Sequence, residues 1–255
     1  MAGLLEGKVI LVVGIADERS IATGCAKAYA EAGATVVATY LNEKAQKYVE
    51  PIARRYGAEL VLPLDVESDE AMASVFEAIR ERYGRLDGLL HAIAFAPRED
   101  LHGRVVDTSR QGFSKALDIS CHSFIRMARL AEPLMPDGGS LATVSYYGAE
   151  KVVENYGIMG PVKAALEASV RYLASELGAK RISVNALSPG PIHTRAASGI
   201  DHFDALAAAA IEHSPEHRLV GIDEVGALAA YLAAPIARGI TGEIIRVDAG
   251  YHVRA

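Results

Sequence analysis

The sequence predicts a single α/β domain built on a doubly wound parallel sheet with helices on both faces. Short β-branched runs alternate along the chain with longer amphipathic stretches, which is the pattern of strands joined by crossover helices. Apolar residues make up 51% of the 255 residues, enough to bury a large core. Glycine and proline lie at turns, as at 138–139 and 188–191, and form no linker. One domain over residues 1–255 is therefore expected.

Seven strands and six helices follow from this alternation. Apolar runs predict strands at residues 8–13, 34–39, 59–63, 88–93, 140–144, 181–187 and 243–248. Amphipathic stretches predict helices at residues 21–32, 42–56, 69–83, 113–134, 160–177 and 223–233. A ligand is expected outside the carboxyl ends of the strands. Residues 194–215 interrupt the pattern and form either further surface helices or a lid over a substrate.

Charge and composition argue against several classes of protein. The formal charge of -6 comes without a block of like charge, so no basic face for nucleic acid is expected. No stretch approaches the ~20 apolar residues of a membrane span, and the N-terminus lacks an export signal. The two cysteines, Cys25 and Cys121, fit buried thiols of a cytoplasmic protein. The histidines show no metal-ligand spacing, so no metal is expected.

The first strand runs into a turn and a helix, which is an arrangement that can hold a pyrophosphate. Gly14 opens the turn and Ser20 closes it, so the helix would present unpaired N–H groups. The second and third glycines of the usual dinucleotide fingerprint are missing, which leaves an ordinary turn with Ser20 as helix N-cap as the alternative. At residues 39–42 there is neither an acidic residue for a ribose nor an arginine for a 2′-phosphate. This favours NADH over NADPH.

A group of tyrosines and one lysine could carry acid–base chemistry. Tyr146 and Tyr147 follow a predicted strand, and Tyr156 precedes Lys163 by seven residues. If the helix begins near Tyr156, two turns bring these two side chains to one face. An ammonium beside a phenol lowers the phenol pKa and makes it a useful proton donor or oxyanion partner. The alternative is that the tyrosines are packing residues and the lysine is solvated.

Motifs of one family extend over nearly the whole chain. They are residues 14–16, 20–22, 65–66, 91–97, 145–150, 155–160, 163–164, 168–172, 184–186, 190–194, 239–243 and 247–251. By these motifs the sequence resembles the short-chain dehydrogenase/reductase superfamily and, within it, the bacterial enoyl-acyl-carrier-protein reductases. Most of the superfamily places the tyrosine four residues before the lysine, whereas the enoyl reductases use seven. Here Met159 occupies the first place and Tyr156 the second.

The resemblance implies a Rossmann-like fold and a reaction of fatty-acid synthesis. NADH would pass hydride to Cβ of a trans-2-enoyl thioester, Tyr156 would bond the thioester carbonyl, and Lys163 would hold the nicotinamide ribose. Tyr146 would stand where other members keep a serine, Ala96 would border the substrate, and residues 194–215 would form the lid. The implied cofactor contacts are Gly14, Ser20, Ile21, Leu41, Asp65, Val66, Ile93, Lys163, Ile192 and Thr194. Members of the family usually form homotetramers.

The chain departs from the family pattern at the lid and beside the nicotinamide. Ala94 stands where glycine is frequent, and His193 where arginine is. Asp201 and Asp204 replace basic residues that receive the acidic carrier protein, and would repel it. Either the carrier docks elsewhere or the thioester is one of coenzyme A. The arginines that could receive the carrier elsewhere are Arg98, Arg104 and Arg195.

Two other functions compete with the enoyl reductase. A carbonyl reductase of the same superfamily would reduce a ketone, and the seven-residue spacing argues against it. A catalytically silent nucleotide-binding protein would share the fold but would not need Tyr146, Tyr156 and Lys163 together. Replacing Tyr156 by Phe separates these hypotheses, because a pure binding role survives that change.

Overall fold

The computed structural model of the chain describes residues 3–199 and 201–254. Seven parallel strands form one sheet in the order β3-β2-β1-β4-β5-β6-β7. The strands are β1 (Val9–Val13), β2 (Thr35–Tyr40), β3 (Leu60–Pro63), β4 (Gly88–His91), β5 (Gly139–Val144), β6 (Ile182–Pro189) and β7 (Ile244–Val247). The doubly wound parallel sheet predicted from the sequence is therefore confirmed.

Helices cover both faces of the sheet. They are α1 (Ile21–Glu31), α2 (Glu43–Arg55), α3 (Asp69–Tyr83), α4 (Arg98–Leu101), α5 (Arg110–Leu117), α6 (Ser123–Ala131), α7 (Met159–Leu177), α8 (Phe203–His213) and α9 (Ile222–Ala233). Residues of α1, α2 and α9 form one apolar core, and residues of α3, α6 and α7 form another on the opposite face. Within the described ranges, no helix is long and apolar enough to cross a membrane.

Two glycines let α1 and α9 approach each other closely. A Cβ added at Gly226 would lie 2.3 Å from the backbone oxygen of Gly24. A Cβ added at Gly24 would lie equally close, at 2.3 Å, to the backbone oxygen of Ile222. Such distances leave no room for a side chain in a close-packed interior. Glycine at both positions is therefore a packing requirement of this face.

The predicted helix at 113–134 is interrupted. α5 ends at Leu117, residues Asp118–His122 form a π-turn, and α6 continues to Ala131. A π-turn holds one residue more than an α-helical turn, and the 3.6-residue periodicity of the sequence does not reveal it. The turn lies beside the carboxyl ends of β4 and β5, where ligands are expected.

Neighbouring strands β1 and β4 mark the point where the chain reverses direction across the sheet. From β1 the chain moves outward to β2 and β3, and it then returns to β4 on the other side of β1. The register pairs Leu11 with both Val37 and Leu89. A crevice opens outside the carboxyl ends of two strands at such a point, and ligands bind there. Gly14 follows β1 and Ala92 follows β4 at this crevice.

Candidate active site

The turn between β1 and α1 is shaped by one glycine and one serine. Gly14 has a φ of 117°, and a Cβ there would lie 2.2 Å from the backbone oxygen of Ala92. Ser20 occupies the N-cap position of α1, but its side chain does not cap the helix. Its Oγ instead accepts the N–H groups of Ala16 and Asp17 at 3.1 and 3.0 Å. Ser20 thus stands at the N-cap position, but its hydroxyl shapes the turn and does not cap the helix.

This turn forms one wall of a cavity of about 130 Å³. Six of the predicted cofactor contacts line it together: Gly14, Ser20, Ile21, Ile93, Lys163 and Thr194. The first-turn N–H groups of a helix have no intrahelical partner, so α1 adds a positive dipole end to the same place. The turn, the cavity and the helix end together fit the pyrophosphate and nicotinamide half of a dinucleotide.

Three of the four remaining predicted contacts lie toward the β2 and β3 side of the sheet, and the fourth, Ile192, lines the larger cavity described below. Leu41 follows β2 and is 58% exposed. Asp65 and Val66 follow β3; the Asp65 carboxylate accepts the Glu67 N–H at 3.0 Å, and Arg126 donates to the Val66 carbonyl at 2.7 Å. The structure thus places them at the carboxyl ends of neighbouring strands, where an adenosine could extend.

A larger cavity of about 310 Å³ adjoins the first one and contains the predicted catalytic side chains. Tyr146, Tyr156 and Lys163 line it together with the predicted contacts Ala96 and Ile192. The apolar walls of this cavity could not be predicted from the sequence, because apolar side chains in a cavity wall have the same sequence pattern as core residues. Those walls include Phe95, Leu101, Met159, Pro191, Phe203 and Leu206. The cavity therefore suits a reactive polar group attached to an apolar chain.

Tyr156 reaches the cavity from a turn and not from a helix. α7 begins at Met159, so the expectation that Tyr156 and Lys163 share two helical turns is wrong. Positive φ angles at Asn155 (61°) and Gly157 (49°) reverse the chain on either side of Tyr156. A Cβ at Gly157 would lie 2.8 Å from the Leu101 carbonyl oxygen. Tight packing of this turn thus fixes the position of the phenol.

Burial controls the protonation of Tyr156 and Lys163. Burial raises the pKa of Tyr156 well above its ordinary value, and the nearby Tyr146 and Glu167 raise it further. Burial lowers the pKa of Lys163 to about 8, against the opposite pull of Cys121 and Glu167. Its ammonium donates to the carbonyl of Val144 at 2.6 Å. The expected lowering of the phenol pKa by the lysine is therefore wrong, and at neutral pH both groups are proton donors.

Tyr146 packs against Tyr156 with its hydroxyl oxygen unpaired. The ring centroids are 4.9 Å apart with the planes tilted by 59°. The Tyr146 hydroxyl oxygen is buried and has no hydrogen-bond partner among the described residues. Burial raises the pKa of this phenol as well. An unpaired buried hydroxyl carries a free-energy cost of about 1–3 kcal/mol. A bound ligand with a carbonyl or hydroxyl in this cavity would remove that cost.

The π-turn brings a hydroxyl to the cavity wall. Ser120 is fully buried and its Oγ accepts the Phe95 N–H at 2.9 Å while donating to the Phe95 carbonyl at 3.0 Å. His91, at the end of β4, is buried between the hydroxyls of Thr143 and Ser123 at 3.0 and 2.8 Å. Burial lowers the pKa of His91 to about 3, so its ring is neutral. These bonds fix the segment that carries Phe95 and Ala96.

The segment 194–215 contains α8 and contributes to both cavities. Phe203, at the start of α8, lines the larger cavity and meets the His193 ring edge-on at 5.1 Å between centroids. The Asp201 carboxylate oxygen Oδ2 lies 2.7 Å from Nδ1 of His102. This pair ties the segment to the loop after α4. Ile200, which belongs to the predicted lid, lies outside the described residues.

Comparison with known proteins decides the family. The model of the enoyl-(acyl carrier protein) reductase family matches residues 14–252. The chain belongs to this family. An enoyl-[acyl-carrier-protein] reductase [NADH] of Rhizobium meliloti is 47% identical over 251 residues, which are 98% of this chain and 92% of that protein. The family expected from the sequence motifs is therefore confirmed.

Solved enoyl reductase structures share the whole fold. The Anaplasma phagocytophilum protein in complex with NAD is 47% identical with a TM-score of 0.95, covering 99% of this chain and 97% of that one. The Bacillus cereus protein with NADP+ and indole naphthyridinone is 45% identical with a TM-score of 0.97, covering 100% of both chains.

Throughout residues 3–199 and 201–254, no cluster of three or more His, Cys, Asp or Glu could hold a metal ion.

Proposed function

We propose that this enoyl reductase uses NADH to reduce the 2,3 double bond of a trans-2-enoyl thioester in fatty-acid synthesis. The observation that carries the proposal is the convergence of Tyr146, Tyr156 and Lys163 on one apolar cavity that adjoins the Gly14 turn. The Rhizobium meliloti relative is by name an NADH-dependent enoyl-[acyl-carrier-protein] reductase. The fold, the cavity and the relatives therefore support the same reaction.

Tyr156 supplies the proton-donating group of the reaction. When bound, NADH supplies a hydride to Cβ of the substrate, and negative charge then develops on the thioester carbonyl oxygen. The Tyr156 hydroxyl donates a hydrogen bond to that oxygen, and its benefit grows as the charge develops. Because burial raises the pKa of Tyr156, the donor form is the one present at neutral pH. The resulting enolate takes a proton at Cα from solvent water, which leaves hydroxide and completes the addition of one hydride and one proton.

Lys163 and Tyr146 support this step from two sides. The Lys163 ammonium lies in the wall shared by the two cavities, where it holds the nicotinamide ribose hydroxyls while it stays bonded to the Val144 carbonyl. Tyr146 packs on the Tyr156 ring and offers a second hydroxyl toward the thioester. Ala96 borders the substrate, and the apolar walls around Met159 and Leu206 receive the acyl chain.

Residues at the carboxyl ends of the strands would hold the cofactor. Ile93, Ile192 and Thr194 would contact its nicotinamide half, and Gly14, Ser20 and Ile21 its pyrophosphate. Leu41 would lie by the adenosine ribose, and Asp65 and Val66 by the adenine. The residues at 39–42 provide no cation for a 2′-phosphate, so we propose NADH as the preferred cofactor. The alternative is NADPH, since the Bacillus cereus structure holds NADP+, and a comparison of the two cofactors in the same assay tests it.

The lid and the assembly complete the proposal. Residues 194–215 close over the acyl chain, since Phe203 and Leu206 already line its cavity. The acyl group arrives on acyl carrier protein, as in the names of the relatives, with coenzyme A as the competing carrier. Exposed apolar side chains such as Tyr172 on α7, 73% exposed, support packing of long helices between subunits of a homotetramer. We place this enzyme in the cytoplasm.

The deciding experiment follows NADH oxidation on trans-2-enoyl thioesters. The substrate is presented once on acyl carrier protein and once on coenzyme A, with a simple ketone as control. We expect turnover on the enoyl substrates that is lost in Tyr156→Phe and Lys163→Ala. Reduction of the ketone alone would establish a carbonyl reductase instead. Binding of NADH without turnover of any substrate would leave a nucleotide-binding protein.

A further inference from the structure

Two successive turns of α7 hold the end of β5 through hydrogen bonds. Lys163 donates to the carbonyl of Val144 at 2.6 Å, and one helical turn later Glu167 accepts the Ser145 hydroxyl at 2.6 Å. Ser145 is 2% exposed and directly precedes Tyr146. The backbone from which Tyr146 projects is therefore fixed by a lysine and a glutamate on the same face of one helix.

Glu167 is a half-buried carboxylate, and burying a charge carries a free-energy cost that neighbouring cations reduce. Burial raises its pKa, and the hydrogen bond from Ser145 lowers it. The charged groups that act on it are Arg246 on β7, Arg171 on α7 and Glu150 after β5. A glutamine would accept the same hydrogen bond without the cost of burying a charge. A glutamine substitution therefore separates the contribution of the charge from that of the hydrogen bond.

The charge acts on both predicted catalytic groups in the same direction. The Glu167 carboxylate raises the pKa of Lys163, and it also raises the pKa of Tyr156. A nearby negative charge favours the protonated form of any titratable group. Burial alone would deprive Lys163 of its charge at a lower pH. The carboxylate therefore favours an ammonium at Lys163 and a neutral phenol at Tyr156.

We propose that Glu167 is a positioning residue of the active site, which anchors the Tyr146 backbone through Ser145 and, one helical turn from Lys163, stabilises the Lys163 ammonium by its negative charge. The proposal rests on the proposed reductase function. Glu167 touches neither the thioester nor the cofactor in this arrangement, and its effect is transmitted through side chains that do. Its two effects, the hydrogen bond and the charge, are separable by substitution.

The test compares Glu167→Gln, Ser145→Ala and the control Glu176→Gln. Glutamine at 167 keeps the hydrogen bond and removes the charge, whereas alanine at 145 removes the bond and keeps the charge. Glu176 is exposed on the same helix, so it reports the cost of the same substitution away from the site. Two readouts are used between pH 6 and 10: the dissociation constant of NADH by fluorescence titration, and kcat on an enoyl thioester.

In the wild type we expect NADH binding and kcat to weaken above about pH 8, where Lys163 loses its proton. In Glu167→Gln the alkaline decline of NADH binding and that of kcat, the two alkaline limbs, should both move to lower pH. A shift of about one pH unit is the order expected for removal of a nearby opposite charge. Ser145→Ala should lower kcat several-fold with the limbs unmoved. Glu176→Gln should superimpose on the wild type.

Superimposable pH profiles of Glu167→Gln and the wild type would overturn the proposal, because a structural role alone does not move a pH limb. A fall in thermal stability of Glu167→Gln with unmoved limbs would count against it in the same way. A wild type that binds NADH but reduces no enoyl thioester would refute the reductase function. The NADH binding profiles would then still decide whether Glu167 controls Lys163.

Discussion

Replacing Tyr156 by Phe removes one oxygen atom from the centre of the site and leaves the packing of the ring intact. The ring remains 4.9 Å from that of Tyr146 and lies on Gly148, where a Cβ would come within 2.4 Å of it. The turn that delivers residue 156 depends on Asn155 and Gly157 and is unaffected. The variant is therefore expected to fold normally, and its kinetic effect reports the hydroxyl alone.

The size of the effect follows from the protonation state. An ordinary phenol, with a pKa of ~10, is about 99.9% protonated at pH 7, and burial raises the pKa of Tyr156 further. Nearly every enzyme molecule therefore carries a protonated Tyr156 hydroxyl at neutral pH, and every molecule of the variant lacks it. Loss of one donor to a developing oxyanion costs about 100- to 1,000-fold in kcat. We expect a decrease of this size that stays constant between pH 6 and 7.5.

The assay is steady-state NADH oxidation on an enoyl thioester, with KM and kcat determined separately. Tyr146→Phe is the matched control, since its hydroxyl has no hydrogen-bond partner among the described residues. The free energy of unfolding of Tyr146→Phe in urea should be equal to that of the wild type or higher. Its kcat should stay above that of Tyr156→Phe. If Tyr156→Phe keeps kcat within about threefold of the wild type, Tyr156 is not the donor and the reasoning fails.

Three further predictions concern charge, packing and the lid. Turnover should fall as pH rises through about 8, because the pKa of Lys163 is lowered to that value and its charge is lost above it; a profile flat to pH 10 would contradict this. Gly226→Ala should lower the free energy of unfolding by about 1–3 kcal/mol in urea titrations, because its Cβ would meet a backbone oxygen at 2.3 Å. The control Gly178→Ala has open space around it and should leave the free energy of unfolding unchanged. Asp201→Asn removes the charged partner of His102. The free energy of unfolding should change by less than about 1 kcal/mol, whereas protease cleavage of residues 194–215 should become faster. Unchanged cleavage would show that the contact between Asp201 and His102 does not hold this segment in place.

The strands could be predicted closely because their signals are local. The apolar run that forms β1 ends at Gly14, and the predicted strand at 8–13 differs from Val9–Val13 by one residue. Strand β6 runs to Pro189, two residues beyond its prediction, because Ser188 and Pro189 pair with β7 despite their turn-like character. The alternation of strands and helices thus carried most of the fold.

The site was predictable in its members and not in its geometry. The resemblance to the enoyl reductases identified Tyr156 and Lys163, but the helix starts after Tyr156 because the turn around Gly157 depends on packing with Leu101, which lies far away in sequence. Glu167 was missed because a glutamate on an amphipathic helix is indistinguishable from a solvated one until its burial is known. Protonation states were missed for the same reason, since burial dominates them.

The π-turn at Asp118–His122 also sets the angular phase of everything that follows it. One extra residue rotates a helix by about 100° relative to an unbroken one. With that rotation α6 points Phe124 and Met127 into the core, while the turn itself keeps Ser120 against Phe95. If the chain were one residue shorter here, either Phe124 and Met127 would turn away from the core or the Ser120 hydroxyl would lose its hydrogen bonds with Phe95. The number of residues between 118 and 122 is therefore as constrained as their composition, and a single-residue deletion there should destabilise the enzyme.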